Sequence, residues 1–414
     1  MNPDFETRLD AYAELIVCVG LNIQPGQRLF VRAPRENPAL VHRVARAAYH
    51  AGAEDVQVYW EDDVLDLIRV ERAPRQVLDQ YPDWVAYAYN TSSERGDAFL
   101  LTFSPDPALF QNQDPERADL FRRARVTALR PMLQKQARNG FTWLAARVPT
   151  QAWAARLFPN AAPAVQQEKL WDAIFSMCRV DGGDPVAAWR EHLDALEKRR
   201  AYMNAKQYAA LHFKSLVTDL TLGLPRGHVW EGGQSVAENG VTFVANIPTE
   251  EIFTLPHRAQ ARGYVTTTRP ISINGVLIEQ FALAFENGRI TRVVAQNYQA
   301  ALEKMVASDQ GAAHLGEVAL VAASNPIGRS KLLFYDGLYD ENAASHIAIG
   351  RAYRFSLGGG ETMSAQEFED AGGNDSAIHE DFMIGSSEMD VDGILEDGSR
   401  EAVMRQGEFA FEAS

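Results

Sequence analysis

The sequence has little cysteine, no long hydrophobic run and no excess of positive charge. Its two cysteines, Cys18 and Cys178, cannot build a disulfide framework or a cysteine-based zinc site, and we expect both to be buried thiols. No segment approaches the roughly 20 apolar residues that a membrane-spanning helix needs. The formal net charge of -15 argues against general binding of nucleic acids or anionic membranes. We therefore expect neither as a partner.

The start of the sequence also lacks the apolar segment of a secretory signal. Five charged residues are spread over its first twenty positions, namely Asp4, Glu6, Arg8, Asp10 and Glu14. We therefore expect no signal peptide and a cytoplasmic location. The 414 residues are 46% hydrophobic, which excludes a disordered chain. Because single cores stop growing near roughly 250–300 residues, we expect two domains.

The first half of the chain alternates helix and strand patterns. Apolar spacing predicts helices at Phe5–Gly20, Leu40–Ala51 and Leu120–Asn139, and strands at Arg28–Arg32, Ala53–Trp60, Ala98–Phe103 and Thr142–Ala146. Strands that alternate with helices are typical of a mostly parallel sheet. We therefore predict an α/β domain at residues 1–205, which ends with a charged helix at Val186–Ala205.

The second half is richer in strand patterns. We predict strands at Leu211–Lys214, Asp219–Leu224, Val241–Ile247, Val265–Thr268, Gln280–Glu286 and Ile290–Val294. Glu286-Asn287-Gly288 predicts a hairpin turn, because Asn-Gly tolerates positive φ. Residues 206–414 are therefore expected to form an α+β domain that is mainly antiparallel.

Four common catalytic motifs are missing. There is no P-loop and no Gly-x-Ser-x-Gly elbow. Gly358-Gly359-Gly360 resembles the start of a dinucleotide-binding motif, but Met363 stands where the third glycine would be. His379-Glu380 fails as a His-Glu-x-x-His motif, because Met383 replaces the second histidine. Nucleotide binding of these types and serine-hydrolase chemistry are therefore unsupported.

Two of the nine histidines have neighbours that favour metal binding. Asp340 is a good N-cap, so His346 is predicted to lie on a helix that includes Ala343–Ala348. Tyr353 would share the His346 face if the helix continued, although Gly350 makes this doubtful. The alternative is a capped helix with an incidental histidine.

The other histidine lies in an alternating strand pattern. His379 and Asp381 are two residues apart, so a strand would place both on one face, where they could reach one cation or two adjacent cations. The alternative is an exposed polar strand face.

Acidic residues upstream could complete the set. Glu250 and Glu251 follow the predicted strand Val241–Ile247, and only one of them can face a given point. Glu317 opens an apolar strand, where an unpaired charge would cost several kcal/mol. A metal ion would satisfy it, and an arginine partner is the alternative. Together these oxygen and nitrogen donors exceed what one zinc ion needs and suit two divalent ions, which is hydrolysis chemistry.

These segments resemble the M29 family of metallo-aminopeptidases. The resemblance rests on Asn246–Thr254, Gly316–Val321, Asp340–Gly350 and Ile378–Gly385, which occur in the family's order. It implies a two-metal enzyme that removes N-terminal residues from peptides, a homodimer, and zinc, cobalt or manganese as the metal. The ligands that it implies are Glu251, Glu317, His346, Tyr353, His379 and Asp381.

The expected mechanism uses a water molecule that bridges the two ions and attacks the scissile carbonyl. Glu317 is expected to bridge the ions, and Glu341, or else Glu250, to relay a proton to the leaving amine. Tyr353 is expected to act as a catalytic residue as well as a metal ligand. Two alternatives remain: another dinuclear metallohydrolase, such as an amidase or phosphoesterase, and a non-enzymatic scaffold with a structural metal.

Overall fold

The computed structural model describes residues 3–104, 106, 109–110, 112–273 and 276–412. Its helices are α1 (Pro3–Leu15), α2 (Pro38–His50), α3 (Asp63–Arg72), α4 (Arg75–Leu78), α5 (Asp83–Arg95), α6 (Pro115–Ala128), α7 (Arg130–Ala137), α8 (Gln151–Leu157), α9 (Pro163–Met177), α10 (Pro185–Lys206), α11 (Gln299–Val306), α12 (Pro326–Ser330), α13 (Gly337–Glu341) and α14 (Ala365–Asp370). None of the helices in these ranges combines the length and apolar character needed to cross a bilayer.

The strands form two large sheets, a four-stranded sheet and two short hairpin pairs. They are β1 (Arg28–Pro34), β2 (Asp55–Glu61), β3 (Ala98–Phe103), β4 (Trp143–Arg147), β5 (Ala210–Lys214), β6 (Asp219–Gly223), β7 (Ser235–Val236), β8 (Thr242–Phe243), β9 (Asn246–Ile247), β10 (Glu251–Thr254), β11 (Ala261–Thr266), β12 (Ile271–Ile273), β13 (Val276–Ile278), β14 (Phe281–Glu286), β15 (Arg289–Ala295), β16 (Leu315–Val321), β17 (His346–Gly350), β18 (His379–Met383), β19 (Asp390–Ile394), β20 (Arg400–Arg405) and β21 (Glu408–Phe409).

The chain separates into two compact units. The first contains Met1–Leu193 and Gln234–Pro248, and the second contains Asp194–Gly233 and Thr249–Ser414. The first unit thus includes a later segment of the chain. The division into domains at residue 205 stays a prediction.

A parallel five-stranded sheet organises the first unit, as the alternation of helices and strands predicted. Its order is β2-β1-β3-β4-β9, and each neighbouring pair is parallel. The central strand β3 is almost wholly buried, which explains its continuous apolar sequence. Phe30, Tyr89, Phe99 and Phe141 fill one core cluster of this unit.

Several sequence predictions in the first unit need correction. The predicted helix Leu120–Asn139 is two helices, α6 and α7, because Pro131 lies in the first turn of α7, where its missing N–H is tolerated. The predicted strand Val241–Ile247 is two short strands, since β8 pairs with β7 whereas β9 pairs with β4. Cys18 is exposed, whereas Cys178 is buried as predicted.

Antiparallel pairing dominates the second unit, as predicted. An eight-stranded sheet runs in the order β15-β14-β11-β6-β5-β19-β20-β21. The hairpin between β14 and β15 turns at Asn287 and Gly288, which both have positive φ, so this prediction is confirmed. The sheet shares a large apolar core with the four-stranded sheet β10-β16-β17-β18.

The segment around His346 is a strand, so its predicted helical setting was wrong. The N-cap is Asp336, whose side chain accepts a hydrogen bond from the Tyr339 N–H at the start of α13. His346 opens β17, which is buried and paired on both sides with β16 and β18. Tertiary pairing of the β-branched residues Ile347 and Ile349 outweighs the helix preference of the alanines.

Candidate metal centre

The four-stranded sheet presents acidic and imidazole side chains on one of its faces. Glu251 lies on β10, Glu317 on β16, His346 on β17, and His379 and Asp381 on β18. Side chains alternate between the two faces of a strand, and cross-strand neighbours share a face. The opposite face is apolar and contributes to the core of the second unit through Ile252, Val318, Leu320, Ile347, Ile349 and Phe382.

The register of the strands places Glu317 and Asp381 on either side of the same residue of β17. Ala348 pairs with Glu317 on one side and with Asp381 on the other. Ala319 pairs in the same way with Phe253 and His346. Alanine at both central positions leaves space above the sheet, which longer side chains would fill.

A β-bulge turns Glu317 toward this face. Leu315 pairs with Ile349, but Glu317 pairs with Ala348, so Gly316 is an extra residue in β16. Leu315 therefore faces the core, and Glu317 faces the other side despite the two-residue spacing. A Cβ on Gly316 would lie 2.4 Å from the carbonyl oxygens of Gly350 and Arg351. The bulge is not among the features predicted from the sequence, although an isolated glycine in an apolar strand signals one.

The side chains form two groups that share Glu317. One group contains Glu251, Glu317 and His346, and the other contains Glu317, His379 and Asp381; within each group the ligand atoms lie within 4.8 Å of one another. One oxygen of Glu317 lies 3.5 Å from His346 Nε2, and the other lies 3.6 Å from His379 Nε2. A carboxylate with one oxygen toward each group is suited to bridge two cations.

Backbone carbonyls orient both imidazoles. His346 Nδ1 lies 3.1 Å from the Ala344 carbonyl, and His379 Nδ1 lies 2.6 Å from the Arg351 carbonyl. Each Nδ1–H therefore donates to a carbonyl, which leaves Nε2 to offer a lone pair, as in histidines that bind metals. Carboxylate oxygens lie 3.1 to 3.6 Å from these Nε2 atoms. An imidazole nitrogen with a free lone pair that faces carboxylate oxygens needs a metal cation between them or a proton of its own, and the shared position suits a metal ion as well as a proton.

Two carboxylate oxygens support the same conclusion. Glu251 Oε2 and Asp381 Oδ1 are buried, and in the described parts of the chain they have no hydrogen-bond partner unless the imidazoles are protonated, when His346 Nε2 at 3.1 Å and His379 Nε2 at 3.6 Å would face them with a proton. Burial of such a group without compensation is costly. The donors are all imidazole nitrogen and carboxylate oxygen, which suits divalent ions such as zinc, cobalt and manganese. The residues therefore fit a metal centre.

The electrostatics of the centre reflect the crowding of its acids. Burial raises the pKa of Glu317, a hydrogen bond from His346 opposes the rise, and the nearby charges of Asp381 and Glu251 add to it, so that the pKa reaches about 7. Burial alone would lower the pKa of His346, but the adjacent Glu251 and Glu317 raise it well above its ordinary value. Without a cation, the site therefore holds its negative charge only at a free-energy cost.

Tyr353, Glu341 and Glu250, which were also candidate site residues, lie outside the two ligand groups. The Tyr353 ring lies 4.9 Å from the His379 ring, and burial followed by the charges of Glu317 and Asp381 raises the pKa of its phenol. Burial, then the charges of Glu251 and Asp381, raises the pKa of Glu341 well above its usual range.

Glu250 is buried, and its backbone N–H donates to Asn342 Oδ1 at 2.7 Å. Its carboxylate belongs to neither ligand group in the described chain. Glu341 is therefore an acid outside the two groups that is electrostatically linked to them, and Glu380, whose pKa is raised by burial and by the charge of Asp381, is another.

Comparison with known proteins gives consistent results across the chain. The family described as Thermophilic metalloprotease (M29) matches residues 5–409. The chain is 42% identical to Aminopeptidase 2 of Geobacillus stearothermophilus over 99% of both chains. It is 41% identical to Aminopeptidase AmpS of Bacillus subtilis, over 98% of this chain and 99% of the relative. The solved structure of wild-type AmpT from Thermus thermophilus matches with a TM-score of 0.91 and 39% identity, over 98% of this chain and 100% of that one.

Proposed function

The chain belongs to the M29 family of thermophilic metalloproteases, and we propose that it is a metal-dependent aminopeptidase that releases N-terminal residues from peptides. The observation that carries this proposal is the position of Glu317, whose two oxygens face two different imidazoles. Relatives that are named aminopeptidases support the choice of reaction.

Two divalent cations, with zinc foremost and cobalt or manganese as alternatives, would occupy the two groups. Glu251 and His346 would hold one ion, His379 and Asp381 the other, and Glu317 both. Tyr353, beside His379, would add a phenol oxygen to the second ion. When bound, such ions supply a water of lowered pKa and a Lewis acid for the scissile carbonyl.

The protein's own residues would provide orientation and proton transfer. The Ala344 and Arg351 carbonyls fix the imidazole planes through the Nδ1–H groups. With cations bound to offset the acidic neighbours that raise its pKa, a carboxylate oxygen of Glu341 would accept a proton from the attacking water and pass it to the amine nitrogen as the C–N bond breaks. Glu250 is the second candidate for this role. Tyr353 additionally stabilises the reacting carbonyl oxygen.

Peptides are the expected partners of the enzyme. We propose that the protein acts in the cytoplasm as a homodimer, without nucleic acid or membrane as a partner. The negative charge and the resemblance to the family support these points. The second and third hypotheses, another dinuclear metallohydrolase and a structural metal site, are outcomes of the following test.

The test combines metal removal with a panel of substrates. Chelation should abolish hydrolysis of leucine p-nitroanilide and of unblocked dipeptides without unfolding the protein, and zinc, cobalt or manganese should restore it. N-acetylated dipeptides, simple amides and phosphate esters should remain intact. Hydrolysis of amides or phosphate esters in preference to free peptides would favour the other metallohydrolase, whereas unfolding on chelation would favour a structural site.

A further inference from the structure

Three aromatic rings form a cluster next to the candidate metal centre, which we call the aromatic wall: Phe253, Tyr353 and Phe355. The Tyr353 and Phe355 rings are stacked at 5.2 Å and 14°. The Phe253 ring lies 6.0 Å from Tyr353 and 6.2 Å from Phe355 at steep angles. Offset stacking and edge-to-face packing make such a cluster rigid. Phe355 is still 37% exposed, and Phe253 is half-buried, so part of the wall is open.

The wall adjoins both ligand groups. Phe253 follows Glu251 by two residues on β10 and therefore lies on the same face of the sheet. Its cross-strand partner Ala319 is also paired with His346. At the other end of the wall, the Tyr353 ring lies 4.9 Å from the His379 ring. An apolar surface thus borders the site at which the carbonyl would react.

The Arg354 cation of this loop is directed away from the wall, although the charge of Arg351 still acts on the Tyr353 phenol. Arg354 lies between Tyr353 and Phe355 in the sequence, but its guanidinium stacks 4.7 Å from the Phe368 ring and donates to the Gly360 and Met363 carbonyls. The surface that the rings present is therefore apolar, and a large apolar group gains most by covering it.

We propose that Phe253 and Phe355 form the subsite for the side chain of the substrate's N-terminal residue, and that they select large apolar side chains. The proposal rests on the proposed aminopeptidase function. That side chain is attached to the carbon next to the scissile carbonyl, so it must fall within a few ångströms of the metal centre. The aromatic wall is an apolar surface that lies there, next to His379.

The test compares two substrates in two variants. For Phe253→Ala and Phe355→Ala, kcat/KM for leucine p-nitroanilide should fall by about tenfold or more. For alanine p-nitroanilide, whose methyl group makes little contact with the wall, the change should be less than about threefold. The ratio of the two values therefore reports the subsite. Phe253→Leu and Phe355→Leu should retain most of the preference for leucine, because they keep an apolar surface.

Equal losses for both substrates would overturn the proposal, because the rings would then only position Tyr353. Wild-type kcat/KM for both substrates in the alanine variants would overturn it as well. Phe411→Ala is the matched control, since Phe411 is a half-buried ring stacked 3.9 Å from Tyr202 in the same unit, and it should leave the ratio unchanged. If an alanine variant does not fold, the leucine variants decide, through a fall in the preference for phenylalanine over alanine p-nitroanilide. Wild-type protein that cleaves neither substrate would refute the proposed function itself.

Discussion

The parallel sheet and the four-stranded sheet β10-β16-β17-β18, here called the metal-centre sheet, each have a buried inner strand, β3 and β16, but these two strands differ in chemistry. β3 contains only apolar residues and one threonine, whose hydroxyl donates to the Arg32 carbonyl. β16 is buried at every position and nevertheless includes Glu317. The first strand is explained by burial of apolar surface alone, whereas the second contains a group that burial destabilises.

This difference teaches how to recognise function in a buried strand. An acid in such a place requires a partner. In the described residues no arginine or lysine is paired with Glu317, and its basic partners within 4 Å are two imidazoles. We therefore propose a cation from solution as the partner of Glu317. The two sheets should accordingly respond in opposite ways to substitution, which the following predictions test.

The largest effect is expected from Glu317→Gln. The variant should lose roughly a thousandfold or more in kcat/KM, equivalent to about 4 kcal/mol, because both ligand groups lose their shared charge. Its folding should persist, since the substitution removes a buried charge. Peptidase assays with metal analysis and circular dichroism check this. Glu303→Gln, at an exposed position on α11, is the control, and near wild-type activity in Glu317→Gln would refute the shared-ligand role.

The reverse outcome is expected for Leu100→Ala in β3. Leu100 is fully buried, so its truncation should lower the free energy of unfolding by about 2–5 kcal/mol. Metal content and kcat/KM per folded molecule should stay near wild type. Denaturant unfolding and metal analysis measure the two quantities, and a selective loss of metal would contradict the contrast between the sheets.

A smaller effect is expected for Gly316→Ala. The added Cβ would collide with the carbonyls of Gly350 and Arg351, and the latter orients His379. We expect metal affinity to weaken about tenfold to a hundredfold, as measured by competition with a chelating dye. Gly393→Ala is the matched control. Gly393 lies on β19, outside the metal-centre sheet, and an added Cβ would lie 2.5 Å from the Tyr208 ring. This control should cost stability but spare metal affinity; equal effects on affinity would argue against the bulge.

The smallest effect concerns the metal-free protein and pH. Burial raises the pKa of Glu317 to about 7 from an ordinary value of 4.5, so the folded state retains a proton that the unfolded state loses between these values. Stability of the chelated protein should therefore fall as the pH rises from about 5 to 7. Urea midpoints at both pH values measure the fall. In Glu317→Gln it should be smaller, and an equal fall would exclude Glu317 as a contributor.

The parts of the fold that local sequence could predict are those with one dominant signal. β3 has the predicted bounds, because five consecutive buried residues and a half-buried phenylalanine form one continuous apolar run. The alternation that puts His379 and Asp381 on one face is confirmed by the pairing of β18 with β17. In both cases the burial pattern and the local propensity agree.

The predictions that failed concern features that depend on contacts between residues distant in sequence. His346 was placed on a helix because the preceding alanines favour one, whereas pairing with β16 and β18 makes it a strand. Tyr353 lies beside His379 without any helical relation to His346. The bulge at Gly316 depends on register with Ile349, which a single sequence does not contain. The ligand set stays a prediction that this geometry supports.

Anomalous scattering from crystals of the metal-loaded protein, recorded at the zinc, cobalt and manganese absorption edges, tests the central claim most directly. We expect two peaks, one within coordination distance of each oxygen of Glu317, with His346 Nε2 beside one and His379 Nε2 beside the other. A single peak, or peaks remote from Glu317, would contradict the assignment of a shared bridging carboxylate.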